Sequence, residues 1–87
     1  VSNGKPHPEP FLRACTLLSS SLPDGLSPTE CLVIEDSIHG VRAAHLAGMR
    51  CIAVTTSYSA DRLSDADLVV ESLAGLSFEK LEALFQL

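Results

Sequence analysis

The sequence predicts an α/β fold, a parallel sheet of about three strands flanked by helices in three layers. Two short apolar runs, Cys31-Leu32-Val33-Ile34 and Cys51-Ile52-Ala53-Val54, read as strands. Their unbroken hydrophobicity suits burial on both faces, as in a parallel sheet. Between them lies a stretch with helical stop signals and a face of small residues. Strand, helix, strand within roughly 25 residues makes a β-α-β unit, with parallel strands and a right-handed crossover.

Each element has its own signal. Val1 to Pro8 reads as a loop. Pro8 suits the first turn of a helix, where its missing N–H costs nothing, and Glu9 complements the helix dipole there. Phe11, Ala14, Cys15 and Leu18 then fall at i, i+3, i+4 and i+7, which predicts a helix over about residues 8–20. Pro23, Asp24-Gly25 and Pro28 break the chain into turns. The first apolar run ends at Glu35-Asp36-Ser37. Ser37 is a natural N-cap and Gly48 a natural stop for a helix from about Ile38 to Ala47. Gly40, Ala43, Ala44 and Ala47 let that helix lie close to a sheet. Asp61 to Leu63 reads as a helical turn, Asp67 to Val70 as a third strand. Phe78, Leu81 and Phe85 give a closing helix its apolar positions. The order is α-β-α-β-β-α, half of a doubly wound sheet.

Composition excludes several classes. The 87 residues make one domain at most. The formal net charge is −5 with six Lys and Arg, none clustered, so no nucleic-acid footprint exists. No apolar stretch approaches the roughly 20 residues of a membrane span, and no signal peptide is visible at the start. Cys15, Cys31 and Cys51 are odd in number and form no C-x-x-C, which argues against a disulfide framework and for a reducing cytoplasm. All three are expected to be small buried apolar side chains.

Chemistry concentrates in two places. Glu35 and Asp36 stand at a strand's carboxyl end, where open α/β sheets bind ligands. Adjacent carboxylates there call for solvent, protons or a cation, and hard oxygens suit Mg²⁺. The plainer alternative is that Asp36 caps the following helix. Lys5 lies in Gly4-Lys5-Pro6-His7-Pro8, where stiff turns can present a point charge to a phosphoryl group. Its plainer alternative is a solvated surface lysine. His7, in the same loop, is placed to touch substrate, and its plainer alternative is a surface residue. His39 and His45, six apart, do not stack on one helical face, which argues against zinc. Ser57 and Ser59 follow the second strand, near where a ligand could sit, but belong to no motif.

Together the two blocks are specific. Gly4-Lys5-Pro6-His7-Pro8-Glu9-Pro10-Phe11, followed after a spacer by a strand ending in Glu35-Asp36-Ser37 with Gly40, Ala43, Ala44, Ala47, Gly48 and Met49 in register, resembles the haloacid dehalogenase (HAD) superfamily. The likeness is greatest to its β-phosphoglucomutase-like and sugar-phosphatase members and covers nearly the whole chain. It implies a partial Rossmann-like, HAD-like core. It implies that Lys5 is the lysine that neutralises the attacking aspartate and the transferring phosphoryl oxygens. By the same resemblance Asp36 is a metal ligand, Glu35 a second ligand direct or through water, and Ser37 the tie between acidic loop and helix. Catalytic roles thus fall to Lys5 and Asp36, substrate contact to Lys5 and Ser37, and Mg²⁺ to Glu35 and Asp36.

One departure stands out. Family members carry D-x-D-G-T, whose first Asp attacks phosphorus, and this sequence has none. Asp65-Ala66-Asp67 has the spacing but is followed by Leu68 and reads as a turn into a strand. Residues 1–87 are therefore expected to be the C-terminal part of a HAD-like core, with the nucleophile motif and the substrate-selecting cap domain upstream. The expected function is part of a Mg²⁺-dependent phosphatase or phosphomutase acting on small phosphorylated metabolites such as sugar phosphates, inactive as this stretch alone. The alternative is a non-catalytic binding module derived from such a core. No nucleic-acid or membrane partner is expected, and the missing N-terminal part of the core is the natural protein partner. A receiver-like module fits less well, because its lysine follows the acidic pocket rather than preceding it.

Overall fold

The computed structural model describes residues 7–85. Lys5, with the rest of Gly4-Lys5-Pro6, lies outside the described residues. Helix α1 spans Glu9–Ser19, β1 Leu32–Glu35, α2 Ile38–Leu46, β2 Arg50–Val54, β3 Leu68–Val70 and α3 Phe78–Phe85. Short 3₁₀ turns at Pro28–Glu30, Ala60–Leu63 and Leu73–Gly75 complete the path. The predicted order of elements holds, with two added 3₁₀ turns where the sequence suggested irregular connections.

The three strands run parallel in the order β1-β2-β3. Glu35 pairs with Ala53 and Ala53 with Val69, so the strand ends that carry chemistry are level with one another. Crossing helix α2 begins at Ser37, whose hydroxyl accepts the Gly40 N–H, and stops at Gly48 with φ +79°, a conformation open to glycine. On one sheet face Val33, Cys51, Ala53 and Val69 join Val41, Ala44 and Ala47 of α2 and Cys15 of α1 in a single core. Ala44 at 0% exposure shows how small residues bring α2 onto the strands. On the other face Ile52 is fully buried, and Arg50, which shares its side of the pleat, donates from Nε to the Leu84 carbonyl of α3 at 2.7 Å. Its guanidinium also lies 5.8 Å from the Phe85 ring centroid.

Three expectations need correction. β1 is not buried on both faces: Ile34 is 48% exposed, because β1 is the edge strand and its free side faces an open apolar groove. Only β2, flanked by a strand on each side, has the double burial its sequence suggested, with Cys51, Ile52 and Ala53 all at 0%. The stripe of α1 is also incompletely covered. Cys15 is buried, but Leu18 stays 57% exposed over that groove, which Phe11, Leu32 and Met49 also line. Finally, Cys15 and Cys51 are buried as expected, whereas Cys31 is only half-buried. Among the described residues no helix is long and apolar enough to cross a membrane.

Candidate functional site

β1 delivers Glu35 to the carboxyl rim of the sheet, and Asp36 and Ser37 carry the chain from there into α2. Glu35 folds back on its own loop. Its Oε1 accepts the N–H of Asp36 at 3.1 Å, the N–H of Ser37 at 3.3 Å and the hydroxyl of Ser37 at 3.0 Å. Ser37 Oγ in turn accepts the Gly40 N–H at 3.0 Å. One carboxylate oxygen thus binds two amides and the capping hydroxyl at the positive end of α2. The stem of Glu35 lies directly against Gly40, where no side chain intervenes.

Asp36 is held differently. Its Oδ2 accepts the hydroxyls of Ser57 at 3.0 Å and Thr56 at 3.3 Å, both from the loop after β2. The N-cap of α2 is Ser37, so the plainer reading of Asp36 as a cap is not what the structure shows. Asp36 instead bridges the loops of two neighbouring strands at the same rim, half-buried beneath exposed hydroxyls.

Of the residues singled out from sequence, Glu35, Asp36 and Ser37 come together in one loop, and Lys5 lies outside the described residues. Thr56 was not singled out and Ser57 had no motif to promote it. Their only signal is position: they follow the strand next to β1, at the same end. Ser59 turns away and donates to Asp61 at 2.6 Å, which with the Asp61 backbone holds that carboxyl below the usual range. His39 and His45 are exposed. His45 Nε2 lies 3.6 Å from Asp67 Oδ2. Asp67 also accepts the Cys51 N–H at 2.7 Å and donates its own N–H to the Cys51 carbonyl at 2.9 Å, clamping the turn into β3. That use agrees with reading Asp65-Ala66-Asp67 as a turn.

The donor set at the rim matches a hard cation: two adjacent carboxylates and nearby hydroxyls, all oxygen. Mg²⁺ commonly takes one or two carboxylates and completes its shell with water and phosphate oxygens. Among the described residues no group of three or more His, Cys, Asp or Glu side chains is placed to hold a metal ion.

The fold is a Rossmann-like parallel β-α-β unit with an acidic loop at its carboxyl rim. The HAD-hydrolase-like family model matches residues 2–76, and the chain belongs to that family. It is 39% identical over 80 residues to hexitol phosphatase A of Escherichia coli, covering 92% of this chain and 34% of that one. It is 37% identical over 73 residues to validoxylamine A 7'-phosphate phosphatase of Streptomyces hygroscopicus, covering 84% and 32%. Among solved structures, β-phosphoglucomutase from Clostridium difficile superposes with a TM-score of 0.77 at 32% identity, covering 99% of this chain and 34% of that one. The chain spans about a third of the length of these relatives.

Proposed function

We propose that this chain supplies the metal-binding and phosphate-neutralising part of a Mg²⁺-dependent phosphatase or phosphomutase. The substrate class is a small phosphate ester, with sugar phosphates foremost. Relatives named hexitol phosphatase A and validoxylamine A 7'-phosphate phosphatase support a small phosphate ester as the class. The single observation that carries the reading is the position of Asp36, at the end of β1 and fixed from β2 by two hydroxyls rather than used as a helix cap.

In this reading Asp36 is a ligand of the cation and Glu35 supplies a second oxygen while its Oε1 braces the loop. The cation would compensate charge on the transferring phosphoryl group. Ser37 keeps the loop and the helix start in one piece and is proposed to contact the phosphate. Lys5 contributes the positive charge that offsets phosphoryl oxygens and the attacking carboxylate. That carboxylate is not among these 87 residues, so this stretch alone is proposed to lack turnover. The open groove between α1 and the free edge of β1 supports pairing with the remaining part of such a core. The setting proposed is the cytoplasm, where three free thiols persist.

The test is a Mg²⁺ titration of the chain followed by backbone amide NMR. Shifts confined to residues 35–37 and 55–57, and lost in Asp36→Asn, are expected. A wild-type chain that folds but shows no local response to Mg²⁺ rejects the metal reading. Hydrolysis of an aryl phosphate by this stretch, abolished by Asp36→Asn, rejects its proposed inactivity.

A further inference from the structure

Away from the acidic rim, two thiols from different elements meet at the opposite end of β1. Cys15 projects from the middle of α1 and Cys31 immediately precedes β1. Their sulfurs are 3.6 Å apart. Cys15 is 5% exposed, and its thiol points to the Leu26 carbonyl at 3.7 Å. Cys31 is half-buried, and its thiol also reaches the Ser27 carbonyl at 3.6 Å. Cys51, the third thiol, is sealed in β2 at 0% exposure. Neither member of the pair takes part in the proposed phosphoryl chemistry.

We propose that Cys15 and Cys31 are a redox modification site that closes to a reversible disulfide by exchange with a low-molecular-weight disulfide such as glutathione disulfide. To reach a bond of about 2.05 Å the sulfurs must approach by about 1.5 Å, within the range of side-chain rotation. The exchange runs in two displacements. The Cys31 thiolate, the more accessible of the two, attacks one glutathione sulfur, and the S–S bond of glutathione disulfide breaks with release of one glutathione thiolate. The Cys15 thiolate then attacks the Cys31 sulfur, and the second glutathione thiolate leaves. Two protein thiols are oxidised, one glutathione disulfide is reduced to two glutathione molecules, and the two thiol protons end on them. Excess glutathione reverses both steps.

Burial, the hydrogen bond and charge of Cys15, and the charge of Glu30 push the Cys31 thiol up to about 11. Exchange is therefore slow at neutral pH and faster in mildly alkaline buffer. The product would pin α1 to the start of β1, with Cys31 at one end of the strand and Glu35 at the other. This site is independent of the metal reading.

The experiment incubates the chain with glutathione disulfide in mildly alkaline buffer, blocks remaining thiols, and maps disulfides by peptide mass spectrometry. The expected product has lost two hydrogens and links Cys15 to Cys31, in at least about tenfold excess over pairs involving Cys51. Cys51→Ser should leave it unchanged, and Cys15→Ser should trap glutathione on Cys31. The same reaction in urea supplies the unstructured reference. A wild-type product that retains glutathione on Cys31, no reaction, or the pair mixture seen in urea overturns the proposal.

Discussion

The stem of Glu35 fills the space that a side chain at residue 40 would need, so Gly40 and Glu35 fit together as one packed unit across the start of α2. A Cβ at Gly40 would meet Glu35 Cγ and Cδ. Those carbons cannot retreat without drawing Oε1 away from the amides of Asp36 and Ser37. Gly40→Ala would ordinarily gain up to about 1 kcal/mol in a helix. Here we expect a net loss of about 1 kcal/mol, read from the urea midpoint at unchanged slope. A gain in stability would show that Glu35 adapts freely.

Ser37 joins two functions that separate on mutation. Its oxygen accepts the Gly40 N–H and its proton goes to Glu35. Ser37→Ala should cost about 1–2 kcal/mol, a capping loss with the brace added. Amide exchange at Gly40 should accelerate, while that of the β2 core at Ile52 follows global stability.

Thr56 and Ser57 are exposed, so their replacement by Ala should change stability by less than about 0.5 kcal/mol. On the proposed metal reading, loss of both hydroxyls frees Asp36 to rotate and weakens Mg²⁺ binding by about 10-fold or more. The titration above, repeated on the double variant, measures this. Equal Mg²⁺ affinity with intact folding would assign the hydroxyls to loop structure alone.

Cys51 predicts an alkaline limb in the stability profile. Burial, with the charges of Asp67 and Glu35, raises its thiol from 9.0 to about 11. The folded state therefore keeps this proton longer than the unfolded state. The stabilisation is fully present below pH 9.0 and is lost as pH rises toward about 11. Unfolding free energy should fall across that window by an amount on the order of 1–3 kcal/mol. Cys51→Ala should be less stable throughout but show a shallower decline. An unchanged slope in the variant would assign the limb to other groups.

The β-α-β unit was legible because its signals are local. A doubly apolar run, a serine cap, a glycine stop and a face of alanines each act within a few residues. What escaped notice depends on contacts between distant segments. Nothing within Cys31-Leu32-Val33-Ile34 distinguishes an edge strand from a central one, since that depends on which strands flank it. Glu35 and Asp36 were both visible as acids at a strand end. Their division of labour was not, because it depends on Gly40 in one case and on Thr56 and Ser57, some twenty residues away, in the other. The partnership of Asp67 with Cys51 was hidden in the same way, as a side chain reaching the backbone of a neighbouring strand.

The bare margin of β1, with Ile34 half in water, also bears on how this polypeptide behaves in bulk. Among the described residues no strand pairs with its outward amides and carbonyls, and an oily trough runs beside them. Two such margins from separate molecules can zip together, so the usable concentration in a tube should fall well before the fold itself is lost. Handling at low protein concentration, or supplying an extended peptide to occupy the margin, should keep the sample clear.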